Sequence, residues 1–152
     1  MRLALSADHA GFHMKDELAR HLAQAGHEIL DLGTNSVEAV DYPDSAEAVA
    51  LAIREGRAER GIIVCGSGAG VSVAANKVPG IRAAVCHDCY TAHQAVEHDD
   101  LNVLCLGARV VGIAVALEIV STFLAASFSG LPRHTRRLNK VLSIESRYLT
   151  EK

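Results

Sequence analysis

The sequence predicts an α/β fold, a doubly wound three-layer αβα sandwich around a five-stranded, mostly parallel sheet of Rossmann-like type. Short apolar runs alternate with segments of helical spacing in five successive units along the chain. The length of 152 residues suits one domain that buries its core without metals or disulfides. The composition, 49% hydrophobic and 22% charged with three prolines, is typical of globular chains without long disordered linkers. We therefore expect residues 1–152 to form a single domain that ends in a basic segment, residues 130–152.

Each element follows from its local pattern, taken in chain order. Strands are predicted where short apolar runs end in turn residues, at 2–6, 28–31, 61–65, 82–86 and 103–106. Helices are predicted between and after them, at 14–25, 44–55, 71–77, 90–97 and 112–127. Asp44 or Ser45 is expected to cap the second helix. Glu118, Ser121 and Thr122 interrupt the last of these segments, so it is predicted to be a packed helix rather than a membrane span.

Charge and cysteine content exclude several classes of function. The formal net charge of −3 provides no general attraction to nucleic acid or to an anionic membrane. The N-terminus lacks a signal-peptide core, and we expect the cysteines, Cys65, Cys86, Cys89 and Cys105, to be reduced in the cytoplasm. Cys86 and Cys89 have the spacing of a redox pair or half a zinc site, but no second pair completes a ligand set. We expect no metal site.

A glycine-rich loop follows the third predicted strand, which ends at Cys65. Its sequence is Gly66-Ser67-Gly68-Ala69-Gly70. Glycines let backbone N–H groups approach a ligand, and the helix predicted after the loop adds positive potential, so the loop is predicted to bind an anion beside a thiol. Val71 stands where a dinucleotide fingerprint needs glycine, and no Gly-Lys-Ser/Thr follows, so neither nucleotide motif is present. A structural turn beside an inert buried cysteine is the alternative.

Polar residues also follow the first and second strands, as Asp8-His9 and as Gly33-Thr34. The carboxyl ends of parallel strands lie at one edge of a sheet, so these residues are expected near Cys65. Taken singly, Asp8 and His9 are also typical of loop hydrogen bonding.

Two further polar clusters lie later in the chain. In the cluster at residues 98–102, His98 is suited to acid/base chemistry, although a turn capped by Asp and Asn explains the cluster equally well. In the other, Arg133 and Arg137 share a helical face beside His134, which suits phosphate binding. A basic surface helix that starts at Pro132 is the alternative for that cluster.

Eight motifs occur in order between Ala4 and about Arg137: Asp8-His9-x-Gly11, Asp31-x-Gly33-Thr34, Asp41-Tyr42-Pro43, Cys65-Gly66-Ser67-Gly68-x-Gly70, Ala75-Asn76-Lys77-Val78-Pro79-Gly80-Ile81-Arg82, Asn102-Val103-Leu104, Gly107-x-Arg109 and Arg133-His134-x-x-Arg137. Together they closely resemble the ribose-5-phosphate isomerase B family, which includes allose- and galactose-6-phosphate isomerases. The resemblance implies a cofactor-free aldose-ketose isomerase that works through a cis-enediolate.

The resemblance also implies roles for the residues of the clusters. Cys65 matches the base that moves a proton between C1 and C2, and Ser67 matches a hydroxyl residue beside it. Backbone N–H groups of the loop, including Gly66, Gly68 and Gly70, match the anion hole. His98 with Asp8 matches the groups that open the sugar ring. The residues that match phosphate and hydroxyl binding are His9, Arg109, Arg133, His134 and Arg137.

The resemblance implies a homodimer or a dimer of dimers whose sites are shared between subunits. Asp99 stands where many relatives have asparagine, which places a carboxylate near the expected sugar. The resemblance makes ribose 5-phosphate the leading substrate, with ribulose 5-phosphate as its product. Because of Asp99, a tetrose, allose or galactose phosphate is the alternative. A non-catalytic phosphosugar sensor is a further alternative, and a flavin electron carrier is less favoured because aromatic residues are only 4% of the chain and Trp is absent.

Overall fold

The computed structural model describes residues 1–148, in which five strands form one sheet with every neighbouring pair parallel. The strands, in the spatial order β2-β1-β3-β5-β4, are β1 Arg2–Ala7, β2 Glu28–Asp31, β3 Arg60–Cys65, β4 Ala83–Val85 and β5 Val103–Gly107. The predicted doubly wound α/β architecture is confirmed. The last residues of the basic segment, 149–152, lie outside the described part of the chain.

Helices cover both faces of the sheet. One face carries α1 Phe12–Gln24, α4 Cys89–Asp99 and α5 Ile113–Ala125, and the other carries α2 Tyr42–Arg54 and α3 Ala69–Ala75. A sixth helix, α6 Pro132–Tyr148, begins at the proline that the sequence suggested as its start and packs against α4. This helix extends well beyond the basic motif at residues 133–137 from which it was predicted.

The core consists of two apolar layers, one on each face of the sheet. Leu5, Val64 and Leu106 of the central strands belong to one layer, and Ile63 and Cys105 belong to the other. These strands are buried on both sides, which explains why they read as continuous apolar runs rather than as alternating ones. Complete burial of each Leu, Ile or Val contributes about 1.5–3 kcal/mol. The core therefore holds the carboxyl ends of β1, β3 and β5 in a fixed arrangement.

The predicted cap of α2 is wrong. The helix begins at Tyr42, and the residue before it, Asp41, makes no side-chain cap. Pro43 lies in the first turn, where its missing N–H costs nothing because that donor has no intrahelical acceptor. Ser45 lies inside the helix, and its hydroxyl donates to the carbonyl of Ala7 at 2.9 Å. This bond fastens α2 to the end of β1, beside the expected site.

The long apolar segment after β5 forms α5, which buries Ala116, Ile119, Val120 and Phe123 against the sheet. The prediction of a packed helix is therefore confirmed. None of the helices within residues 1–148 is both long and apolar enough to cross a membrane.

An ion pair between a buried lysine and an exposed aspartate joins α1 to β2. The ammonium of Lys15 has no exposed side-chain surface and lies 2.7 Å from a carboxylate oxygen of Asp31. The same oxygen accepts the N–H of Gly33 at 3.0 Å. The Asp31 motif therefore has a structural role, since it orients the loop after β2 towards the end of β1, where the Ala7 N–H donates to the Gly33 carbonyl at 2.7 Å.

Candidate active site

A cleft of about 370 Å³ opens at the carboxyl edge of the sheet, where the strand order reverses between β1 and β3. The residues that line it are Asp8, Tyr42, Cys65, Gly66, Ser67, Gly70, Arg109 and Val110. Six of these residues were predicted from the sequence, and they come from the loops after β1, β3 and β5. The structure therefore brings together the first strand's aspartate, the thiol with its glycine loop, and one arginine.

Cys65 is the last residue of β3 and is only 5% exposed. Its sulfur accepts the N–H of Gly68 at 3.0 Å. The contact directs one backbone N–H at the sulfur, which lies at the wall of the cleft. The bond depends on the left-handed backbone of Gly68, whose φ is +83°.

The other buried thiols have a different environment. Burial, together with the nearby Asp88 carboxylate, raises the pKa of Cys86 to about 11. Burial also raises the pKa of Cys105, and the neighbouring thiols of Cys65 and Cys86 act in the same direction. Both groups are therefore protonated near neutral pH, and neither of them lines the Cys65 cleft.

The loop after β5 packs directly on the glycine loop. The N–H groups of Ala108 and Arg109 donate to the carbonyls of Cys65 and Gly66 at 2.8 and 3.0 Å. A Cβ atom at Gly107 would lie 2.7 Å from the backbone of Ser67, so only glycine allows this approach. The two loops therefore form one rigid wall of the cleft, which carries the Arg109 side chain.

The first turn of α3 holds its amides in a defined pattern. The Ala69 N–H donates to Ser67 Oγ at 3.2 Å, and the first intrahelical bond runs from the Ser72 N–H to the Gly68 carbonyl. The Gly70 N–H precedes that bond and has no acceptor within the helix. Because Gly70 also lines the cleft, its amide is a candidate donor to an anion bound there.

Asp8 and His9 both make loop hydrogen bonds. One carboxylate oxygen of Asp8 accepts the N–H groups of Ala10 and Gly11 at 2.9 and 3.1 Å. His9 Nδ1 accepts the Val40 N–H at 3.3 Å. Loop hydrogen bonding, the alternative for these two residues, is therefore present. Asp8 also lines the cleft, whereas His9 lies beside it in sequence without lining it.

A second cluster forms where the end of α4 meets the start of α6. The His98 and His134 rings lie 4.0 Å apart at an angle of 31°. His134 is 2% exposed, and its Nδ1 lies 2.6 Å from the hydroxyl of Ser129. Arg133 and Arg137 are exposed on α6 on either side of it in sequence. The structure therefore joins the predicted acid/base histidine to the predicted phosphate cluster.

Electrostatics keep the buried imidazole of this cluster neutral. Burial lowers the pKa of His134, and the neighbouring His98, Arg133 and Arg137 lower it further against a smaller opposite effect of Glu97. His98 itself is one-third exposed, and its Nε2 lies 3.7 Å from Glu97 Oε2. The cluster thus combines one neutral buried ring with one accessible ring.

The cleft and the histidine cluster lie at opposite edges of the sheet within one chain. α4 starts after β4 at the carboxyl edge and returns to the amino edge, where β5 begins, and its 11 residues span about 16 Å. None of the cluster residues lines the Cys65 cleft, and these residues are His98, Asp99, Arg133, His134 and Arg137.

The polar residues after α4 divide into two groups. Asp100 accepts from Arg82 at 2.7 Å, and the Asn102 side chain accepts the Arg82 N–H at 2.8 Å. The alternative of an ordinary turn therefore holds for Asp100 and Asn102. Asp99 is exposed and lines a separate groove of about 400 Å³ alongside α6, together with Leu138.

Sequence reasoning missed three residues of these two regions. Tyr42 lies within the motif Asp41-Tyr42-Pro43 without an assigned role, and Val110 follows the motif Gly107-x-Arg109. In the structure, a Cβ atom at Gly70 would lie 2.9 Å from the Tyr42 ring, so the glycine admits this ring to the cleft. Ser129 carried no local signal, because it lies in a loop and its partner His134 is five residues away, beyond the start of α6.

The four cysteines are free, and no group of three metal-binding side chains was found within residues 1–148. The Cys86 to Cys89 segment instead leads into α4. Asp88 caps this helix by accepting the Thr91 N–H at 2.7 Å.

Comparison with known proteins shows the family of this chain. A family model described as ribose/galactose isomerase matches residues 3–141. Ribose-5-phosphate isomerase B of Escherichia coli is 45% identical over 96% of this chain and 97% of that protein. D-erythrulose-4-phosphate isomerase of Pectobacterium atrosepticum is 41% identical over 86% of each. The solved ribose-5-phosphate isomerase B of Clostridium thermocellum is 49% identical, covers 97% of this chain and 99% of its own, and has a TM-score of 0.95. The chain therefore belongs to the ribose/galactose isomerase family and is an isomerase of the ribose-5-phosphate isomerase type.

Proposed function

We propose that this isomerase interconverts ribose 5-phosphate and ribulose 5-phosphate, with Cys65 as the base that moves the proton between C1 and C2. The observation that carries the proposal is the hydrogen bond from the Gly68 N–H to Cys65 Sγ at 3.0 Å. This bond orients the Cys65 sulfur in a cleft that is also lined by Asp8, Ser67 and Arg109, which supports a role in proton transfer. E. coli ribose-5-phosphate isomerase B, at 45% identity, supports the choice of substrate.

The proposed proton transfer has two steps. The Cys65 thiolate removes the proton from C2 of the open-chain aldose, the C1 carbonyl becomes the enediolate oxygen, and the thiol forms. The thiol then returns a proton to C1 and the proton of the C2 hydroxyl passes to O1, which gives the ketose and regenerates the thiolate. The Ser67 hydroxyl and the Gly70 amide are placed to stabilise the charge on oxygen, and loss of one such donor costs roughly 10²- to 10³-fold in rate.

We propose that ring opening and phosphate binding use a second copy of the chain. His98 and the arginines of α6 lie at the sheet edge opposite to Cys65, so one chain alone cannot hold both sets against one sugar phosphate. A homodimer, or a dimer of dimers, would bring the histidine cluster of one subunit to the cleft of the other. In that arrangement His98 with Asp8 opens the ring. Arg133, His134 and Arg137 bind the phosphate opposite His9 and Arg109.

The first test is kcat/KM of the purified protein, without added metal, on ribose 5-phosphate and on tetrose, allose and galactose phosphates. We expect the highest value for ribose 5-phosphate. Preference for another sugar phosphate would overturn the assignment of the substrate but not the proposed mechanism. Binding of these sugars without turnover of any would instead favour the phosphosugar sensor.

The shared site is tested by mixing two inactive variants, Cys65→Ser and His98→Ala. If each site takes Cys65 from one subunit and His98 from the other, random re-association restores about a quarter of the wild-type activity, since half of the dimers are mixed and each has one intact site. If both residues serve a site within one chain, mixing restores nothing. Sedimentation of the wild-type protein as a monomer would also overturn the shared site.

A tetrose phosphate is the second candidate substrate. The D-erythrulose-4-phosphate isomerase of P. atrosepticum is 41% identical to this chain, so the same family includes a protein named for a four-carbon sugar. Asp99, which is exposed beside the ring-opening histidine, adds a carboxylate that a shorter sugar would tolerate better than a longer one. Replacement of Asp99 by Asn is expected to raise kcat/KM for ribose 5-phosphate if this carboxylate restricts the substrate.

We also propose that residues 1–152 form a single isomerase domain in the cytoplasm. The continuous sheet and its two apolar layers, which include residues from β1 to α5, support the single domain. The four cysteines form no disulfide, which is typical of proteins in a reducing compartment.

A further inference from the structure

We propose that Ser129 is a positioning residue: its hydroxyl donates to His134 Nδ1 and thereby fixes the imidazole as the neutral tautomer that carries its proton on Nε2. Ser129 lies in the loop between α5 and α6. Ser129 is half-buried there, and its Oγ lies 2.6 Å from His134 Nδ1.

The direction of this hydrogen bond follows from the other partner of the hydroxyl. The Leu131 N–H donates to Ser129 Oγ at 3.2 Å, so one lone pair of the oxygen is occupied by a donor. The hydroxyl hydrogen then needs an acceptor, and the lone pair on His134 Nδ1 supplies one at hydrogen-bond distance. The opposite arrangement would place two N–H donors on the oxygen and leave its own hydrogen without this partner. The first arrangement satisfies the Ser129 hydroxyl, the Leu131 N–H and His134 Nδ1, and it leaves the ring proton on Nε2.

Ser129 also links His134 to the helix that carries His98. The Ser129 backbone N–H donates to the carbonyl of Glu97 at 3.0 Å, in the last turn of α4. The same residue therefore holds the α4 terminus through its backbone and the His134 ring through its side chain. These contacts connect the two residues whose ring centroids lie 4.0 Å apart at an interplanar angle of 31°.

The tautomer decides what His134 offers to a ligand. A neutral ring with its proton on Nε2 is a hydrogen-bond donor at the nitrogen that does not face Ser129. The lowered pKa of His134 agrees with a neutral ring. In the phosphate site proposed above, His134 then donates one directed hydrogen bond, while the positive charge comes from Arg133 and Arg137. This consequence for substrate binding rests on the proposed function, whereas the tautomer itself does not.

The experiment uses nitrogen NMR of the full chain labelled with ¹⁵N-histidine, with the His134 signals assigned from a His134→Asn variant. We expect the wild-type His134 Nδ1 to show the shift of an unprotonated nitrogen and Nε2 that of a protonated one at neutral pH. In Ser129→Ala the two shifts should move towards each other as the tautomers mix, and Ser129→Thr should restore them. Ser127→Ala is the matched control, because Ser127 is exposed two residues earlier in the same loop.

Kinetics on the same variants separate positioning from a general loss of structure. Ser129→Ala should raise KM for the aldose phosphate about fivefold, the value of one hydrogen bond, with kcat nearly unchanged and with Thr rescuing the effect. Wild-type protein with a protonated Nδ1 would overturn the inference even if Ser129→Ala fails to fold. A raised KM with unmoved His134 shifts would also overturn it, because it would indicate a structural role only. Wild-type protein that isomerises no aldose phosphate would refute the proposed function, and the wild-type nitrogen shifts would still decide the tautomer.

Discussion

Gly107→Ala is expected to slow isomerisation through the packing of the two loops that form the cleft. The added Cβ would lie 2.7 Å from the backbone of Ser67, and ordinary contacts begin at 3.4 Å. The Ser67 backbone must therefore move by about 0.7 Å, because neither loop is a flexible side chain. Ser67 lies between Cys65 and the amide of Gly68 that donates to the sulfur.

The size of the effect follows from this displacement. A misplacement of about 1 Å at reacting groups costs roughly 10²-fold in rate, so we expect kcat to fall by roughly 10- to 100-fold. Overpacking should lower the free energy of unfolding by about 1–3 kcal/mol and Tm by roughly 2–12 °C. Binding of phosphate is expected to change little, since the residues proposed for phosphate binding are mostly on α6.

The assay is steady-state kcat and KM with ribose 5-phosphate, at a temperature well below the Tm that calorimetry gives for each variant. Gly112→Ala is the matched control, because its φ of −81° suits alanine and nothing lies within 4 Å of its Cβ position. We expect it to retain kcat within about twofold. A folded Gly107→Ala enzyme with wild-type kcat would refute the claim that this close approach positions the catalytic loop.

Three further predictions concern single residues. Cys65→Ser should lower kcat by roughly 10²- to 10⁴-fold, while calorimetry should still detect binding of a reduced, non-isomerisable sugar phosphate. Cys89→Ser, at a half-buried cysteine, is the control that should stay active. Unchanged turnover of Cys65→Ser would exclude Cys65 as the base. Arg137→Ala should raise KM roughly 10- to 100-fold with a smaller fall in kcat. Arg136→Ala, at the exposed neighbouring residue, should not raise KM. Equal KM values for the two variants would indicate that α6 is a basic surface helix without a phosphate site. The pKa of Cys86 is raised from 9.0 to about 11, mainly by burial and to a smaller extent by the Asp88 carboxylate. The stability that this protonated thiol contributes is therefore complete below pH 9 and is lost as the pH rises from 9 through about 11. Cys86→Ala should therefore reduce the loss of unfolding free energy between pH 8 and 10 in denaturant titrations, and an identical loss in both proteins would contradict the buried, protonated thiol.

Some local features followed from the sequence and others did not. The predicted bounds of β2, 28–31, agree with the structure because turn residues flank a short apolar run. The cap of α2 was wrong because Asp44 and Ser45 satisfy the local pattern of a cap, while the tertiary partner of Ser45, the carbonyl of Ala7, lies 38 residues away. Asp31 reads as part of a family motif, and its partner Lys15 shows why the carboxylate is needed.

The sequence by itself determined the α/β architecture, the carboxyl-edge position of Cys65 with its glycine loop, and the resemblance that indicates the family. These features depend on the hydrophobic period, on glycine positions and on the order of motifs, all of which can be read directly along the chain. Only the tertiary structure decided that the candidate residues divide between a cleft at one edge and a histidine cluster at the other. That division depends on the strand order and on the direction in which α4 crosses the sheet. It also depends on contacts such as that of Ser129 with His134, which form only when the chain has packed.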